Sequence, residues 1–298
     1  MRKSLSIIKA TALEILSGPL TLLVLLAALT LTVLAPAFHY HQFGDPTRMA
    51  RDAGLSALFT CGSVIAVFGT IRAIRREVES GTMEMALAYP VSRTCFFLSK
   101  FLGALVAYLV CSAVIVGATF VIFEGAAVGG VIARQTGDIS KIFGPFLACG
   151  VAILLLPLLI GAALDRFARF RFVLTAICLA FVLALIGGGV AAVLSKGDVL
   201  RLLPVALLVM QPSLLLMAVA AACAVRMKAN AAAAAVGVVF AALVPTVGNY
   251  YLVDVLANGG SLPLGYLGLA TAVTWPALVA ILLLGVEFIN GRDIQWTT

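Results

Sequence analysis

The sequence predicts an all-α, polytopic transmembrane bundle of about eight spans, and three observations predict it. Of the 298 residues, 63% are hydrophobic and only 11% are charged, where a soluble domain carries roughly 25% charged residues. Mean hydropathy is +1.15, so too few polar groups remain to coat a water-facing surface. The apolar residues also come in continuous runs near the ~20 residues that cross a hydrocarbon core. Barrel strands facing a lumen would instead place a polar residue at every second position. The whole chain, 1–298, reads as one transmembrane domain.

The elements follow in order. In residues 1–17, Leu5, Ile8, Ala12, Ile15 and Leu16 make one apolar face at helical spacing, suited to lying in the membrane interface. The next run, 20–38, covers about 19 residues, longer than the ~7–15 of a secretory signal core. It reads as an uncleaved first span, although Leu34-Ala35-Pro36-Ala37 resembles a cleavage site. Spans are predicted over 18–38, 54–71, 101–123, 143–164, 172–194, 202–225, 231–247 and 264–286. The seventh is short and alanine-rich. An alternative count is six spans plus a re-entrant hairpin over 202–247.

Lys and Arg set the orientation. With the N-terminus inside, Arg2, Lys3, Lys9, Arg72, Arg75, Arg76, Arg93, Lys100, Arg166, Arg169, Arg171, Arg226, Lys228 and Arg292 are cytoplasmic. Only Arg48, Arg51, Arg134, Lys141, Lys196 and Arg201 are external. The hairpin alternative would move Arg226 and Lys228 outside and blunt the asymmetry. Both versions place both termini in the cytoplasm of an inner-membrane protein. The net charge of +7 is then a matter of basic loops beside anionic headgroups rather than of nucleic acid.

Prolines 157, 204, 212, 245 and 276 sit inside or near the start of spans, where neighbouring helices satisfy the freed backbone groups. Gly187-Gly188-Gly189 and the Gly125-x-x-x-Gly129 spacing suit either close helix contacts or loops. The six cysteines form no CxxC pair and read as small core residues. His39 and His41, with Asp45 nearby, lack a third ligand fixed by spacing. They read as interfacial, alongside Tyr40, and no metal is expected.

No Asp, Glu, Lys, Arg or His falls in the middle of a predicted span. A proton- or sodium-coupled carrier usually keeps an ionisable group at that depth. An intramembrane hydrolase needs a nucleophile with a base, or metal ligands, held close together. The deepest polar cluster is Gln211-Pro212-Ser213. Gln211 and Ser213 either line a substrate path or hydrogen-bond between helices.

The longest polar stretch, residues 72–100, joins the second and third spans. Arg75 and Glu79 stand at i, i+4 on a helical continuation. Ser80-Gly81-Thr82 supplies a stop and a new cap. Met83, Ala86 and Leu87 share one face of a short helix, which Tyr89-Pro90 ends. Ser92 is placed to cap the third span, and Lys100 to snorkel to the interface. From pattern alone, a solvated loop with a helical turn is an equal alternative to a helix lying outside the bilayer.

The run Glu79-x-Gly81-Thr82-Met83-Glu84, then Tyr89-Pro90-Val91-Ser92-Arg93 and Lys100, resembles the cytoplasmic signature of ABC transporter permeases of the type-2 exporter family. Residues 7–19 are similar to that family's amphipathic first helix. Residues 220–235 and 165–171 are each similar to its short basic turn between later spans. Having both turns, and eight spans where many members have six, is a departure. The resemblance implies a membrane-spanning permease subunit whose residues 72–100 dock in a groove of a separate cytoplasmic ATPase. Carried over by position, Glu77, Glu79, Gly81, Thr82, Met83, Glu84 and Pro90 are its expected contacts. It also implies a second permease chain, identical or related, and ATP bound only by the partner ATPase.

The chain has no GxxxxGK[S/T] phosphate loop, so no cofactor and no enzymatic activity of its own are expected. An ion-coupled secondary carrier or channel is the alternative function. A lipid-acting enzyme would need the loop of Asn249, Tyr250, Tyr251 and Asp254 to carry catalysis, for which no base–nucleophile pair is visible. The substrate and the direction of transport are not readable from these residues.

Overall fold

The helix Arg93–Thr136 is the axis of the molecule. It is 44 residues long, about 66 Å at ~1.5 Å per residue, roughly twice the ~30 Å hydrocarbon core. One face is buried along most of its length, through Ala107, Tyr108, Cys111, Val114, Ile115, Ala118, Ile122 and Ala126. The computed structural model describes residues 2–34, 46–79, 92–136, 143–168, 171–195, 199–250 and 264–291. Among these lie nine α-helices and no strand: α1 Arg2–Leu16, α2 Pro19–Leu34, α3 Pro46–Glu79, α4 Arg93–Thr136, α5 Phe143–Ala168, α6 Phe172–Leu194, α7 Leu202–Arg226, α8 Ala229–Tyr250 and α9 Leu264–Asn290. A 3-10 turn, Val199–Arg201, leads into α7.

Each of the eight predicted runs falls on one of the helices α2 to α9. Six of them (α3, α4, α5, α6, α7 and α9) are long and apolar enough to cross a membrane, and α1 with α2, bent by 60°, makes a possible seventh. Helix α8 is 22 residues long, and its fully described stretch, Ala229–Ala242, is apolar but by itself shorter than a span. The hairpin over 202–247 resolves into α7, itself long enough to span, and a separate α8. Between them, the Met227 N–H closes α7 on the Cys223 carbonyl at 2.8 Å, and the chain turns at Met227-Lys228.

Two helices run further than the hydropathy suggests. Helix α3 begins at Pro46, a residue suited to the first helical turn, and Arg48 and Asp52 pair at i, i+4 at 3.9 Å. Helix α4 continues to Thr136, so the Gly125-x-x-x-Gly129 spacing is helical rather than loop. Residues 124–136 are Ala- and Gly-rich without proline, and helix propagation needs no lipid around it. Pro157, Pro212 and Pro276 lie inside continuous helices.

Around α4, helices α3 and α6 make the broadest contacts, followed by α1 and α5; α7 packs on α3 and α9. Small residues set these approaches. A Cβ on Gly117 would come within 2.5 Å of the Ala184 carbonyl oxygen of α6, and one on Gly188 within 3.3 Å of Gly117 Cα. Of the three-glycine run, Gly188 faces the Gly117 backbone and Gly187 the Val121 side chain, at 2.8 Å from a Cβ placed there, while Gly189 is open. With lipid as solvent there is little hydrophobic drive between helices, and close van der Waals packing replaces it. The outer helices α5 and α9 leave apolar faces open, such as Leu159, Leu269 and Val273, as lipid requires.

Helix α1 departs from its expected placement. Ala12, Ile15 and Leu16 are buried, together with Thr11. Thr11 and the Ile8 carbonyl sit over Gly103 of α4, and Ile15 over Gly69 of α3. Most of the apolar face therefore meets protein rather than lipid, while Leu5 stays exposed. The physical reason is the pair of glycines, which open grooves on α3 and α4 that a helix can enter. The bend into α2 is held by the Thr21 hydroxyl, which donates to the Ile15 carbonyl at 2.7 Å.

Candidate functional site

Residues 80–91 emerge from α3 and return into α4, and the helix ends on either side are tied together. Predicted span residue Ile71 is followed by eight more helical residues to Glu79, about 12 Å of helix. On the return side, Ser92 caps α4: its hydroxyl accepts from the Cys95 N–H at 3.2 Å, the capping role its position suggested. Between these ends, Glu77 of α3 forms an ion pair with Lys100 of α4. The Lys100 ammonium also stands 5.9 Å from the centroid of the Phe96 ring.

Lys100 is 4% exposed, which corrects the expectation that it snorkels to the interface. The α3–α4 contact encloses its stem, and Glu77 supplies the counter-charge that makes burial tolerable. A second pair fixes α1 to the same corner, with Arg76 donating to the Glu14 carboxylate at 2.6 Å. Nearby, Arg93 reaches the Asn290 carbonyl at 3.4 Å, and the Arg226 guanidinium lies 5.1 Å from the centre of the Phe288 ring. The ends of α1, α3, α4, α7 and α9 thus gather at one basic end of the bundle. All four of these basic groups belong to the set that the sequence places on one side.

Of the expected contact residues, Glu77 lies at this corner with its carboxylate turned to Lys100. Glu79 is the last residue of α3. Gly81, Thr82, Met83, Glu84 and Pro90 lie outside the described residues, as do His39, His41, Asp45 and Asp254. Among the described residues no group of His, Cys, Asp and Glu is arranged to hold a metal.

The second locus is the bundle interior. Ser63 of α3 and Ser213 of α7 are hydrogen-bonded, oxygen to oxygen, at 2.9 Å. Thr274 of α9 donates to the Gln211 side-chain carbonyl at 3.1 Å. Both predicted interior residues therefore meet polar partners on other helices. The Tyr108 hydroxyl of α4 and the Ser112 hydroxyl one turn on are both buried without a hydrogen-bond partner among the described residues. Ser63, Ser112 and Ser213 are buried, like Tyr108. Sequence reading missed Ser63, Tyr108 and Ser112. Each is a scattered polar residue in an apolar run, and only depth within its span marked it.

Beside this interior, α4, α6 and α7 leave a cavity of about 380 Å³ lined by apolar groups and Ser112. Gln211 and Ser213 do not line it.

No curated protein and no solved structure matches the chain. A family model described as ABC-2 family transporter protein does match, over residues 27–275. That range takes in the second half of α2, all of α3 to α8, the basic side chains of the corner and the interior hydroxyls, and so the chain belongs to the ABC-2 transporter family, a membrane component of transporters.

Proposed function

We propose that this chain is the permease subunit of an ATP-driven transporter, taking its work from a separate cytoplasmic ATPase through residues 72–100. A second permease chain, identical or related, would complete the translocation path. The observation that carries this reading is the clamped base of the 80–91 segment. Its flanking helices extend beyond their predicted spans and are tied by Glu77–Lys100 and Glu14–Arg76. A segment anchored in this way transmits a push into α3 and α4 rather than absorbing it. The empty charge record of the span interiors also favours an outside power source over ion coupling.

In this reading Glu77 sets the angle at which the segment leaves α3. Glu79 and Glu84 pair with basic groups of the ATPase, and Met83 fills an adaptable apolar pocket there. Gly81 and Pro90 shape the turns at either end. Gln211 and Ser213 border the path from within the bundle. Nucleotide-driven closure of the ATPase then shifts the bundle between two states, provided the docked segment binds differently in each.

The test is affinity purification of the tagged chain from its own membrane in mild detergent. A soluble ATPase should follow it in near-equal amount. Transport by the purified chain alone in vesicles, driven by an ion gradient, would overturn the proposal in favour of a secondary carrier.

A further inference from the structure

We infer that the cavity between α4, α6 and α7 is a binding groove for one acyl chain of a phospholipid whose phosphate lies beside Arg201. The inference rests on the membrane location of the helices and not on coupling to an ATPase.

The groove has a direction. Helices α4 and α6 run away from the basic end and α7 runs toward it, so the start of α7 lies beside the later parts of the other two. The cluster of Phe120, Ala191 and Leu202 fixes that register. Leu200, at the head of α7, therefore marks the mouth, whereas Leu109, Ser112 and Met210 mark the inner end. From Leu200 to Met210 is ten residues, about 15 Å of helix. That is half of a ~30 Å hydrocarbon core, the depth of a single leaflet. A cavity of about 380 Å³ falls within the ~300–1,000 Å³ of ligand sites.

The chemistry selects the occupant. The walls are apolar apart from Ser112, which is buried at the deep end. At this depth the surrounding solvent is hydrocarbon, and an unfilled apolar groove forfeits dispersion contacts on every wall. Arg201, exposed and next in sequence to the lining residue Leu200, would bring positive charge to the level of the headgroups, where it complements a phosphate. Gly189 keeps the groove open, since a Cβ there meets nothing within 4 Å.

The experiment uses the full chain in vesicles of phosphatidylethanolamine and phosphatidylglycerol. A trace of phosphatidylglycerol carries a photoreactive diazirine midway along one acyl chain. After illumination, lipid adducts are mapped by peptide mass spectrometry. They should concentrate on the groove segments of α4, α6 and α7, several-fold above the open lipid-facing stretch around Leu159. Gly189→Phe, which fills the groove, should lower that enrichment several-fold. Val190→Phe, on the neighbouring exposed position, should leave it unchanged, and Arg201→Gln should weaken it. If Gly189→Phe does not fold, Ala192→Leu serves the same purpose. Labelling spread evenly over all lipid-facing residues, or enrichment that survives the filling variants, overturns the inference. So does a photoreactive residue at Leu207 that yields protein dimers, since a second copy would then cover the groove.

Discussion

Buried Lys100 of α4 and half-buried Glu77 of α3 form an ion pair across the two helix ends that frame residues 80–91. The pair lies where the chain leaves the described bundle, so its charges serve to fix an angle.

Breaking this pair from one side should be costlier than removing it whole. Lys100→Met leaves the Glu77 carboxylate beside apolar surface, at an expected cost of about 3–5 kcal/mol. The double variant Lys100→Met, Glu77→Leu should recover much of that loss. Thermal unfolding of the wild type, Lys100→Met, Glu77→Leu and the double variant in one detergent reads the difference. Strictly additive losses would show that the two residues do not act as a unit.

Reversing charge within the segment should uncouple without unfolding. Glu79→Lys with Glu84→Lys is expected to abolish stimulation of the partner ATPase while insertion and elution volume stay normal. Full coupled activity in the double variant would remove the docking role assigned to these carboxylates.

Glycine substitutions should divide by what surrounds them. Gly117→Leu drives a side chain into the Ala184 carbonyl and should lower the yield of folded protein, at an overpacking cost of about 1–3 kcal/mol or more. Gly130→Ala meets nothing within 4 Å. It should be neutral or stabilising by up to ~1 kcal/mol, because glycine is a poor helix former. Detergent gel filtration of a fluorescent fusion after graded heating separates the two outcomes.

The Ser63–Ser213 hydrogen bond should be a modest contributor. A double-mutant cycle with alanine at both positions is expected to give about 0.6 kcal/mol, and no more than ~2. A coupling energy near zero would mean that each hydroxyl finds another acceptor when its partner is lost.

Span positions were legible because composition and run length dictate them: a stretch such as 172–194 has no alternative to a helix in lipid. The ends were less legible. Residues 124–136 mix apolar residues with Glu124, Gly125, Gly129, Gly130 and Arg134, which reads equally as a loop, and the continued helix of α4 settles it. The basic corner was half legible. Positive charges sort to one side by a rule that reads sequence alone, which finds Arg76 and Lys100 but not their partners. Glu14 is 62 residues from Arg76, and nothing local joins them. Similarly, Gln211 and Ser213 stood out as adjacent polar residues. Ser63 and Thr274 did not, because each is one of several scattered hydroxyls in its own helix, beside Thr60 and Thr271, and gains meaning only from what lies across from it.

Helix α4 has one further consequence. It is unbroken from Arg93 to Thr136 and contains no proline, so it can tilt, slide or rotate, but it cannot shorten. A displacement applied at the Arg93 end must therefore reappear at the Thr136 end. Gly103 and Gly117, where other helices press closest, are the points about which such a rod would pivot. Both faces of the membrane are in this sense read by one stiff element, and neither can move without informing the other.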